Sequence, residues 1–151
     1  MKIVLLLLLV GLAGCAPGTS ATPDAGSSMP ASIIDPYLKI QTALAQDKVD
    51  DVRANAGAIA TAAAPLGAPA LKIDMAAIQL AAATEIEDAR EKFGALSDAV
   101  VAYMDGLKLS APDGVRVAFC PMKAKPWLQQ GATINNPYYG SSMQTCGSFR
   151  P

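Results

Sequence analysis

The chain has 151 residues, 52% of them apolar, with 12 lysine or arginine against 13 aspartate or glutamate and no histidine. That length holds one domain of ordinary size. A net charge of −1 with no basic run excludes the electrostatic footprint of a nucleic-acid binder, and the lack of histidine removes the commonest general base and metal ligand, leaving sulfur to hold any transition metal.

Residues 1–15 read as a secretory signal: the basic Lys2, an apolar run over 3–10, then small residues. The run is too short to span a membrane, which takes about 20 apolar residues. Leu12-Ala13-Gly14-Cys15 resembles the lipobox of bacterial lipoprotein precursors. The resemblance implies that residues 1–14 are removed and that Cys15 carries the lipid as the mature N-terminus. Ala16 in place of aspartate resembles the signal for sorting to the outer membrane, and the expected location is its periplasmic leaflet, in an oxidising compartment. Residues 16–32 are rich in Pro, Gly, Ser and Thr, without an apolar period. They predict a flexible tether with a mean reach of roughly 20 to 25 Å, and a single domain over 33–151.

Helical spacing then takes over. Ile33, Tyr37, Ile40 and Leu44 form one stripe, with Pro36 expected in the first turn. Val49, Val52, Ala56, Ile59, Ala63 and Leu66 form a second, with Asp47 or Asp50 as N-cap and Pro65-Leu66-Gly67-Ala68-Pro69 as its end. Leu71, Met75, Ile78 and Ala82 form a third. A fourth runs through Ile86, Ala89, Phe93, Leu96, Val100, Tyr103 and Leu107, and Thr84-Glu85-Ile86-Glu87 has the form of a capping box. Residues 70–108 are therefore expected as two helices rather than one bent helix. The fold expected is mainly α: an antiparallel bundle of three to four helices over 33–108, followed by a loop-rich module over 109–151 that contains a short strand. The charges from Glu85 to Lys92, Arg90 among them, read as a solvated helix face, and Met75 and Met104 as core filler.

Pro112-Asp113-Gly114 signals a turn, and residues 115–119 a strand that delivers Cys120 at its end. Beyond it Pro121, Pro126, Gly131, Asn135-Asn136-Pro137 and Gly140 punctuate the chain too often for long regular elements. Residues 119–149 hold both cysteines outside the leader, the only tryptophan, and Phe119, Trp127, Tyr138, Tyr139 and Phe149. Cys120-Pro121-Met122 and Met143-Gln144-Thr145-Cys146 each pair a thiol with a thioether. Folded back on itself, the segment would gather Cys120, Met122, Met143 and Cys146 around one soft cation such as Cu(I), with Trp127 laid over the metal as a capping aromatic. In the alternative reading Cys120 and Cys146 are a disulfide and the methionines are packing. Closing that loop stabilises by roughly 3 to 4 kcal/mol in loop entropy. With no C-x-x-C pair, no histidine and no phosphate-binding glycine motif, no catalytic residue is expected.

The C-terminal motifs Cys120-Pro121-Met122, Trp127-Leu128, Asn136-Pro137-Tyr138-Tyr139-Gly140, Met143 and Cys146-Gly147 resemble the bacterial family catalogued as domain of unknown function 3347. So does the helical layout around Ala89-Arg90, Phe93 and Leu96-Ser97. Members occur alone in exported proteins and fused to periplasmic adaptors of heavy-metal efflux systems. The resemblance therefore implies metal handling, with efflux components as expected partners beside the membrane itself. The chain carries no pump-adaptor region, so a freestanding lipoprotein is expected. The function expected is soft-metal binding, Cu(I) first, for resistance or delivery. The alternative is a disulfide-stabilised interaction module using an aromatic surface around Tyr138 and Tyr139.

Overall fold

The computed structural model describes residues 28–151. The signal segment, Cys15 and residues 16–27 of the expected tether lie outside the described residues. Among the described residues the chain forms four α-helices followed by a three-stranded antiparallel sheet. Each helix packs on the next in sequence, and the sheet lies against the first and last of them.

Helix α1 (Ala31–Ala45) buries Ile33, Tyr37, Ile40 and Leu44, the stripe that the spacing predicts. It starts earlier than expected. Met29 is only 2% exposed and its N–H donates to the Ser110 carbonyl at 3.0 Å, while Ser28 bridges Ser110. Residues 28–32, assigned above to the tether, therefore belong to the folded domain, held by the buried Met29 side chain, by the pairing with Ser110 and by the first turn of α1. Pro36 consequently stands inside the helix rather than in its first turn. Helix α2 (Val52–Ala63) buries Val52, Ala56, Ile59 and Ala63. Neither Asp47 nor Asp50 caps it; the N-cap position is Asp51, without a side-chain bond. Two 3₁₀ turns at Ala64–Leu66 and Ala68–Ala70 then carry Pro65 and Pro69 on either side of Gly67, whose φ is 70°.

Helix α3 (Leu71–Ala81) reverses an expectation. Leu71, Met75 and Ile78 are 54%, 53% and 57% exposed and Ala82 is exposed, whereas Ile73, Ala76, Ala77 and Leu80 are buried. The helix is apolar on two sides, so period alone finds two stripes. The face with the alanines is the one that α2 and α4 approach, since small side chains let backbones come close. Helix α4 (Ile86–Leu107) is a separate helix, as expected, and buries Ala89, Phe93, Leu96, Val100 and Tyr103. Its N-cap is Glu85, without the side-chain bonds of a capping box, and Lys108 ends it in a left-handed conformation with φ 55°. Met104 is core, as expected; Met75 is not.

Strand β1 (Val115–Cys120) pairs with β2 (Lys125–Gln130) in the register Ala118↔Trp127 and Cys120↔Lys125, and on its other side with the two-residue β3 (Ser148–Phe149). The sheet order is β2-β1-β3. Strand β2 occupies a stretch expected as loop on account of Pro126. As an edge strand it has one side free of ladder bonds, which is where proline is tolerated.

Candidate functional site

The site is built where β1 ends. Cys120 is fully buried, and the antiparallel register Ala118↔Phe149 and Phe119↔Ser148 brings the chain at Cys146 and Gly147 back alongside it. The two cysteines are free thiols, and this register sets Cys146 beside Cys120. Burial, with the neighbouring Cys120 adding to it, pushes the half-buried Cys146 thiol above the usual range and holds it protonated.

Cys146 is held in place by the Asn136-Pro137-Tyr138-Tyr139-Gly140 segment. Asn136 is fully buried and uses every polar group it has. Its Nδ2 donates to the Cys146 carbonyl at 2.6 Å and its Oδ1 accepts from the Tyr138 N–H at 2.8 Å. Its own N–H donates to the Gln144 carbonyl at 2.7 Å, and its carbonyl accepts from the Gly140 N–H at 3.2 Å. The segment is in turn tied to the helices by Arg90, which donates to the carbonyls of Pro137 and Leu44 and to the Asp47 carboxylate, at 3.2, 3.1 and 2.5 Å. Asp47 also accepts from the Ser141 N–H at 3.2 Å. Hydrogen bonds from Ser141 and then Arg90 hold its carboxyl below the usual carboxylate range. Arg90, read from sequence as part of a solvated face, is thus a tie between α1, α4 and the site. Nothing in a run of helical charges distinguishes it, because its partners lie more than 40 positions away in the chain.

Trp127 is fully buried on the same face of β2 as its cross-strand neighbour Ala118 and, diagonally, Cys120. Its indole N–H donates to Gln129 Oε1 at 2.9 Å, and its ring meets Tyr138 edge-on at 5.9 Å between centroids. A Cβ on Gly147 would stand 2.7 Å from the Trp127 ring, so the glycine lets the indole lie directly against the backbone next to Cys146. Tyr138 is 4% exposed and its hydroxyl donates to the Pro126 carbonyl, while Tyr139 is half-buried. Of the two tyrosines of the expected aromatic surface, Tyr138 is thus a core residue that backs the site, and Tyr139 alone keeps an exposed part.

Of the four sulfurs singled out in the sequence, the fold brings the two thiols together. Met143 is half-buried on the loop that leads to Cys146, and its carbonyl accepts the Cys146 N–H at 3.1 Å. Met122 stands on the β1–β2 turn and is 63% exposed. Among the described residues no group of three or more Cys, Asp or Glu side chains is placed to hold a metal ion. No described helix is long and apolar enough to cross a membrane. Fold and site together define a helical protein with a free thiol pair walled by aromatics at the end of a small sheet. No family model, no curated protein and no solved structure matches the chain.

Proposed function

We propose that this chain is a lipid-anchored envelope protein, held through Cys15 at the outer membrane on the periplasmic side, that binds a soft monovalent cation, Cu(I) first, for resistance or delivery. The helices form an antiparallel bundle that serves as scaffold, and the protein acts by binding rather than catalysis. The resemblance to the domain of unknown function 3347 and the company that family keeps with heavy-metal efflux agree with this reading. The observation that carries it is the register of β1 and β3, which sets the free thiols of Cys120 and Cys146 side by side. Two sulfurs, one fully buried and one half-buried, beside Trp127 suit a cation that accepts a low coordination number, and Met143 could add a thioether from the same loop. Binding displaces thiol protons to solvent.

The same register favours a second reading, in which oxidation joins Cys120 to Cys146 and the bridge stabilises an interaction module. Anaerobic titration of Cu(I) against a chromogenic chelator separates the two. In the reduced protein with Cys15→Ser, so that only two thiols remain, one equivalent should be taken from the chelator. Cys120→Ser or Cys146→Ser should abolish that uptake, and Met143→Leu should weaken it. Chelator left fully loaded by the reduced protein would leave the structural bridge as the function of the pair.

A further inference from the structure

We infer that the outer face of α3 and the groove beside it form a two-fold contact with a second copy of this chain. The contact is separate from the thiol pair and holds whether or not a metal binds there. Leu71, Met75 and Ile78, three large apolar side chains at steps of four and three, are 54%, 53% and 57% exposed. One exposed apolar side chain is ordinary, but three along a single helix face make a continuous ridge. Ala82, exposed at the end of the helix, continues it by a further step of four.

Beside the ridge, between α3 and α4, lies an open groove of about 380 Å³ lined by Ala76, Ala95, Ala99 and Ala102. One face thus carries a row of large side chains and, next to it, a trough that alanines keep open. A surface with ridge and groove side by side is complementary to itself when turned about a two-fold axis. The order of residues gives the direction. Steps of four, three and four read the same in reverse, so in an antiparallel pair Met75 meets Ile78 of the other copy and Leu71 meets Ala82. A parallel pair would set Leu71 on Leu71 and leave the layer of Ala82 on Ala82 unfilled. Charge fits the same arrangement. The charged residues lining the groove are Lys72 and Asp98, of opposite sign, and the Asp98 side chain is 44% exposed beside its one partner, Lys125. In the antiparallel pair the two copies of Lys72 stand roughly 13 Å apart along the axis, each on the side of the other copy's groove that carries Asp98. Three half-exposed side chains and a shallow groove fall short of the roughly 800 Å² per partner of a standard interface, so the dimer is weak, with a Kd on the order of 100 μM.

Sedimentation equilibrium of the reduced Cys15→Ser chain, from about 10 μM to about 1 mM, tests the contact. The mean mass should rise from that of one chain towards that of two. Met75→Glu on the ridge and Ala95→Glu in the groove should each weaken association about tenfold or more, because each buries an unpaired carboxylate in the dimer. Ala58→Glu, on the exposed face of α2, should leave association unchanged. Melting curves at a few micromolar, where the chain is monomeric and the ridge lies in water, should be alike for all three variants and the unmutated chain, which separates lost association from lost folding. A single-chain mass up to about 1 mM would overturn the inference and leave the ridge to a different partner. Association that survives Met75→Glu, or that Ala58→Glu weakens as much, would overturn it by placing the contact elsewhere. Loss in Met75→Glu without loss in Ala95→Glu would overturn the seating of ridge in groove.

Discussion

Gly147 has φ 135°, and a methyl group on it would stand 2.7 Å from the Trp127 ring and 2.9 Å from the Phe119 carbonyl. Both the backbone angle and the space therefore demand glycine, next to the cysteine that forms half of the thiol pair. Gly147→Ala should cost about 2 kcal/mol or more, measured as a lower urea midpoint at unchanged slope, and should shift Trp127 emission as the indole is pushed from its seat. Asn136 shows the complementary case, a buried amide whose groups are all bonded within its own segment and to Cys146. In the sequence both residues are visible only as parts of short motifs. The reason for each is a neighbour that arrives from elsewhere in the chain.

At the level of elements α3 is instructive, because its two apolar stripes make opposite predictions. Leu80→Ala on the buried stripe should cost roughly 2 to 4 kcal/mol through a cavity between helices, whereas Ile78→Ser on the exposed stripe should change stability by no more than about 0.5 kcal/mol. Denaturant curves of the two variants decide which face is core; equal losses would contradict the packing described. The other helices offer a single stripe each, so period and burial agree in α1, α2 and α4. Strand β2 was hidden for a different reason. Pro126 argues against a central strand, and only the sheet order shows that β2 is an edge.

Across the whole molecule, the helices and the sulfur-bearing segment are joined at Arg90 and Asp47, and at Tyr37, whose hydroxyl lies 2.6 Å from Ser97 Oγ and accepts the Leu128 N–H at 3.2 Å. The Asp47 carboxyl is lowered from its ordinary 3.8, so the stability it contributes is fully present above that value and is lost as pH falls through the lower folded value. Asp47→Asn keeps a residue type that tolerates the φ of 59° found there. It should lower the melting temperature at pH 7, and the gap from the unmutated protein should close as pH falls below 3.8 through the lowered folded value. A gap that persisted at low pH would assign the effect to something other than the charge. By itself the sequence determined the run of helical stripes, narrowed to three to four helices, the strand that ends at Cys120 and the grouping of sulfur with aromatics, because period, turn residues and composition are local properties. Tertiary structure alone decided which face of α3 is buried, that Arg90 and Asp47 clamp the Asn136 segment, and that the chain at Cys146 returns beside Cys120 while Met122 stays in solvent. Those outcomes depend on which distant surfaces meet, and no window of sequence contains both partners of such a contact.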